Sequence, residues 1–104
     1  MAALMTEAEL EQELRKIAPP PEFAGTVARW DVQIRDDWAG DPATEVTVII
    51  KDADLRRAWP HRRKYGRSIS EKLRELLPER FPYVWFQSES PDIDPEPRES
   101  RRQP

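Results

Sequence analysis

Apolar residues recur at helical spacing near the start of the chain: Leu10, Leu14 and Ile17 stand at i, i+4 and i+7. Thr6 precedes Glu9 by three, the spacing of a capping box, with Met5 and Leu10 placed for a hydrophobic staple. The pattern predicts a helix from about Glu7 with one narrow apolar stripe and an oriented Glu11/Arg15 pair on another face. Pro19, Pro20 and Pro21 end it and predict a stiff, extended linker. From Ala28 the period changes to two. Ala28, Trp30, Val32 and Ile34 fall on one face, and Arg29, Asp31, Gln33 and Arg35 on the other. Val46, Val48 and Ile50 repeat the pattern against Glu45, Thr47 and Lys51, with Ile49 out of phase, so two half-buried strands are predicted.

Beyond the second strand, Asp52 and Asp54 are plausible helix N-caps, and Pro60 interrupts the helical pattern after one turn. A main helix is therefore expected from about Pro60, with Tyr65, Ile69, Leu73, Leu76 and Leu77 as its apolar stripe and Pro78 as its end. The last strand reads FPYVWFQSE, residues 81–89, with Val84 and Phe86 on one face and Tyr83 and Trp85 on the other. Apolar residues on both faces imply a central strand or one covered on both sides, by the first helix or by a partner. From Ser90 onward four prolines and one aliphatic residue, Ile93, predict a disordered tail. The expected class is α+β: N-terminal helix, β-hairpin, broken helix and third strand, packed as a small sheet with helices on it, in a KH-like or ferredoxin-like order. Residues 1–18 form the helix, 19–25 the proline-rich linker, 26–89 the α/β core and 90–104 the tail.

Composition narrows the chemistry. A chain of 104 residues has room for one modest core. It contains no cysteine, which removes disulfides, thiolate metal sites and a cysteine nucleophile, and fits a cytoplasmic, reducing setting. No apolar run approaches the roughly 20 residues that span a bilayer, so neither membrane insertion nor export is expected. The formal charge of −3, from 20 acidic and 17 basic residues, argues against a general polyanion binder.

The charges are unevenly distributed. Arg56, Arg57, Arg62, Arg63, Lys64 and Arg67 occur without an acidic residue between Leu55 and Ser70. Cations near a helix N-terminus oppose its dipole unless an anion is close. One reading is a solvated face paired with the acidic loop or tail. The other is a docking patch for phosphate or an acidic partner, with Trp59 and Tyr65 as stacking surfaces. His61, the only histidine, lies in this segment with no serine elbow and no set of metal ligands around it. Asp36, Asp37, Gly40, Asp41 and Pro42, between the first two strands, are all turn residues; they lack the regular spacing and closing glutamate of a calcium loop. Trp38 at the tip either folds back on the sheet or faces a partner. No metal site, cofactor or catalytic residue is expected.

The segments RWDVQIRDDWAGDPATEVTVII and FPYVWFQSES resemble uncharacterised small bacterial proteins encoded beside HEPN-domain proteins, in pairs like toxin–antitoxin modules. The element order, Gly66 before an aliphatic-rich helix, and a last strand beginning Pro82-Tyr83-Val84-Trp85-Phe86 are also similar to the KH-like ribosome-binding factor A family. The first resemblance implies a non-enzymatic protein-interaction module, the antitoxin-like or regulatory partner in a two-gene system, with Trp38, Tyr83 and Trp85 as protein-binding candidates. The second implies an RNA-binding or ribosome-associated protein using the basic segment, although no G-x-x-G loop is present to clamp a nucleic-acid backbone. An enzyme is the third and most remote class.

Overall fold

Thr6 Oγ1 accepts from the Glu9 amide at 3.1 Å and Glu9 Oε1 from the Thr6 amide at 2.9 Å, closing the capping box that starts the first helix, α1, Glu7–Arg15. The computed structural model describes residues 5–90 and 93. The tail expected from composition, apart from Ser90 and Ile93, lies outside the described residues. Strands β1 (Val27–Asp36) and β2 (Pro42–Ile50) form an antiparallel hairpin, and a short helix, α2 (Leu55–Ala58), follows a turn at Asp52–Asp54. The chain continues through a 3₁₀ turn at Trp59–His61 into the main helix, α3 (Arg62–Leu76), and ends in β3 (Phe81–Ser88), parallel to β2. The sheet order is β1-β2-β3 in this α+β fold.

The core lies on one face of the sheet. Leu10 and Leu14 of α1 meet Tyr65, Ile69 and Leu73 of α3 over Trp30, Val32, Val46, Val48 and Ile50. The spacing of Tyr65, Ile69 and Leu73 is the four-residue repeat that puts side chains on one stripe of a helix. Glu7 also reaches the edge of β1, where Oε2 accepts from the Ile34 amide at 2.8 Å. Both long helices therefore cover the same face. This corrects the expectation that α1 covers the face α3 leaves open, and β3 is an edge strand rather than a central one.

Phe23 supplies the physical reason. Only 1 % exposed, its ring lies 4.9 Å from that of Tyr65 and 5.6 Å from that of Phe86. Pro20 is buried as well, and Pro21–Phe23 forms a 3₁₀ turn, so the expected linker is an anchored part of the core. It holds the connection from α1 on the helix side of the sheet.

Other departures are local. The register shifts between Val27 and Arg29, and Val27 packs against the core; this irregularity at Ala28 breaks the alternation there. Asp54 stands at the N-cap position of α2 but its side chain makes no capping bond and pairs instead with Arg57 at 3.1 Å, while Asp52 caps no helix and accepts from the Ser90 amide at 3.1 Å and from its hydroxyl. Ser90, assigned by composition to the tail, is thereby tied to the fold. These bonds, the hydroxyl one foremost, hold the Asp52 carboxyl below its ordinary pKa. The main helix starts two residues after Pro60, because backbone of right-handed helical geometry at Ala58 and Arg62 lets the chain pass from α2 through the turn without a stop. Gly66 lies inside α3, where an added Cβ would come within 3.2 Å of the Phe86 ring; it permits close approach of α3 to β3.

Candidate functional site

The helix-free face of the sheet is defined by register. Four cross-strand rows run Arg35–Ala43–Phe81, Gln33–Glu45–Tyr83, Asp31–Thr47–Trp85 and Arg29–Ile49–Gln87. Ile49, the residue out of phase with its strand, belongs to this face and is still buried, with Arg29 and Gln87 as its cross-strand neighbours. Long polar side chains can shield such a residue with their apolar stems.

The β3 end of the face is aromatic. Phe81 and Tyr83 have ring centroids 4.9 Å apart, and Tyr83 and Trp85 lie 6.2 Å apart with planes only 3° from parallel. Phe81 is 54 % and Trp85 55 % exposed. Such a cluster on a strand with one neighbour among the described residues is what protein surfaces ordinarily avoid without a charge or covering element. Pro82 lacks the amide a further strand would need at one end, while residues 83–88 carry no charge.

The hairpin loop is built on Asp37. Its Oδ1 accepts from the amides of Ala39 (2.9 Å) and Asp41 (3.0 Å), and its backbone exchanges bonds with Asp41 and Gly40. Gly40 has φ +87°, a conformation that favours glycine. The remaining oxygen, Oδ2, accepts from the Tyr83 hydroxyl at 3.1 Å. The carboxyl is held below its ordinary pKa, chiefly by the backbone bond with Asp41. Both carboxylate oxygens thus serve the loop and its attachment to β3, in accord with the turn reading. Trp38, next in sequence, is held out at 91 % exposure rather than folded onto the sheet.

Trp38, Glu45, Tyr83 and Trp85 line a cavity of about 70 Å³. The three aromatic residues singled out in the sequence therefore share one site. Glu45 Oε1 accepts from Arg35 at 3.0 Å, while no described residue donates to Oε2. The Tyr83 phenol is pushed above its ordinary pKa, first by its bond to Asp37, then by burial, then by the charges of Asp37, Asp41 and Glu45.

The basic segment lies on the other side of the molecule, on α2 and α3. Arg57 pairs with Asp54, and Arg62 sits over the Trp59 ring, 4.4 Å from its centroid, donating to the Trp59 carbonyl at 2.9 Å. Among the described residues Arg56, Arg63, Lys64 and Arg67 have no ion-pair partner. Tyr65, expected as a stacking surface, is buried in the core, and burial raises its pKa. Trp59 is half-buried under Arg62. The aromatic and basic candidates therefore form two surfaces, separated by the sheet. His61 stands 3.7 Å from Glu22, too far for a hydrogen bond. Among the described residues no three histidine, aspartate or glutamate side chains group as a metal site, and no helix is long and apolar enough to cross a membrane.

Sequence reasoning missed Phe81, Glu45 and the Asp37–Tyr83 bond. Only the strand register could reveal them, since positions 37, 45 and 83 are distant in the chain. No family model, curated protein or solved structure matches this chain.

Proposed function

We propose that this protein is a non-enzymatic interaction module that docks a partner protein on the helix-free face of its sheet, as the antitoxin-like or regulatory member of a bacterial two-gene system. The observation that carries the reading is the joining of Phe81, Tyr83, Trp85 and Trp38 at one end of a bare sheet face. Trp and Tyr anchors commonly dominate protein interfaces, and the bond from Tyr83 to Asp37 orients that ring before binding. A second reading, RNA binding, is favoured by Arg56, Arg63, Lys64 and Arg67 of α2 and α3, which have no ion-pair partner among the described residues.

Co-expression with the products of neighbouring genes, followed by affinity measurement on the purified pair, separates the two. Trp85→Ala should weaken protein binding at least about tenfold, as expected of a central anchor, while Arg63→Glu/Lys64→Glu should leave the dissociation rate nearly unchanged. Tight RNA binding abolished by the charge reversals but indifferent to Trp85→Ala would replace the first reading with the second.

A further inference from the structure

Resting on that docking reading, we propose that the cavity among Trp38, Tyr83, Trp85 and Glu45 receives an arginine side chain presented by the partner protein. Shape and charge point the same way. Tyr83 and Trp85 present ring planes 3° from parallel, surfaces on which a flat guanidinium stacks. The faces of aromatic rings carry negative charge, and the attraction of a cation to them strengthens as water is excluded. Trp38, exposed and adjoining the same cavity, is positioned to close over the group once it enters.

Glu45 provides the counter-charge. Arg35 occupies Oε1 alone, which leaves Oε2 to accept from a second guanidinium. Asp37 and Asp41 on the adjacent loop add negative potential, and the upward push that Asp37, Asp41 and Glu45 exert on the Tyr83 phenol accords with that field at the cavity. The same field disfavours a phosphate backbone. The cavity, about 70 Å³, has room for a side-chain head group.

The four tryptophans supply their own controls. In the full chain labelled with nitrogen-15, the indole N–H signals of Trp38 and Trp85 report on the cavity, Trp30 on the core, and Trp59 on the basic side. Titration with the pentapeptide Gly-Gly-Arg-Gly-Gly should move the first two signals to saturation in the millimolar range and leave the other two in place. The matching citrulline peptide, equal in shape and uncharged, should bind at least about fivefold more weakly. Glu45→Gln should weaken the arginine peptide several-fold. Trp38→Ala, which removes no packing, should abolish saturation in the Trp85 signal while leaving the rest of the spectrum unchanged.

Absence of saturable shifts, equal response to citrulline, or movement of Trp59 in place of Trp38 would each overturn the proposal. So would concentration-dependent self-association abolished by Trp38→Ala without any peptide response, since the occupant would then be a second copy of this chain. A protein that loses its genomic partner on Trp85→Ala yet ignores the arginine peptide keeps its docking face and loses this site. One that binds the peptide but no neighbour's product retains the site without the two-gene role.

Discussion

Replacing Phe23 with alanine tests whether residues 19–25 are a linker or a piece of the core. The ring is 1 % exposed and packs against both Tyr65 and Phe86 at centroid distances of 4.9 and 5.6 Å. Removing a buried phenylalanine ring costs about 3–5 kcal/mol through lost transfer energy and the cavity left behind. Tilted aromatic pairs such as these place the variant toward the upper part of that range. A chain of this size has a total stability of about 5–15 kcal/mol, so the substitution removes a large share of it. Urea denaturation followed by far-ultraviolet circular dichroism measures the loss; the midpoint should fall with little change in slope. In thermal melts, at about 4–8 °C per kcal/mol, the midpoint should drop by more than ~12 °C. Phe81→Ala is the control, because that ring is 54 % exposed on β3. A solvated linker would tolerate Phe23→Ala within about 0.5 kcal/mol, the usual range for surface substitutions. If Phe23→Ala proves as mild as Phe81→Ala, the anchoring role of this segment is refuted.

Three further outcomes follow from particular bonds. The folded Asp37 carboxyl has a depressed pKa, so its contribution is fully present above the unfolded value near ~3.9 and is lost as pH falls through the lower folded value; melting scans in acid should show Asp37→Asn flattening that loss, and an unaltered acid profile would contradict it. Asp52→Ala should lower the melting temperature more than Ser90→Ala, because it removes the bonds from both the Ser90 amide and hydroxyl where Ser90→Ala removes only the second, and the double variant should be little worse than Asp52→Ala alone; full additivity would show that the two residues act apart. Thr44 Oγ1 is buried without a hydrogen-bond partner among the described residues, so Thr44→Val should stabilise the fold by about 1 kcal/mol in urea titrations, and a loss of similar size would reveal a bond to that hydroxyl.

Local chemistry written in the chain was enough for the elements. Thr6 and Glu9 satisfy amides within their own turn, and Trp30, Val32, Val46 and Val48 alternate because backbone geometry makes side chains alternate. Asp37, Gly40 and Pro42 announced a bend for similar reasons, and Trp38, Tyr83 and Trp85 stood out by type. Tertiary structure alone decided how these pieces were used. Periodicity says that β3 has two apolar faces; it does not say that β3 pairs on one side only or that α1 joins α3 on the same face. Phe23 illustrates the difference: a single aromatic among prolines has no period, and its burial depends on Tyr65 and Phe86, more than 40 positions away in sequence. The meeting of Trp38 and Glu45 with Tyr83 and Trp85 is likewise a product of strand register. Caps, turns and alternation are short-range interactions carried by neighbouring residues, whereas the choice of covered face and exposed edge is made by long-range packing, in which whole stripes compete to be buried together.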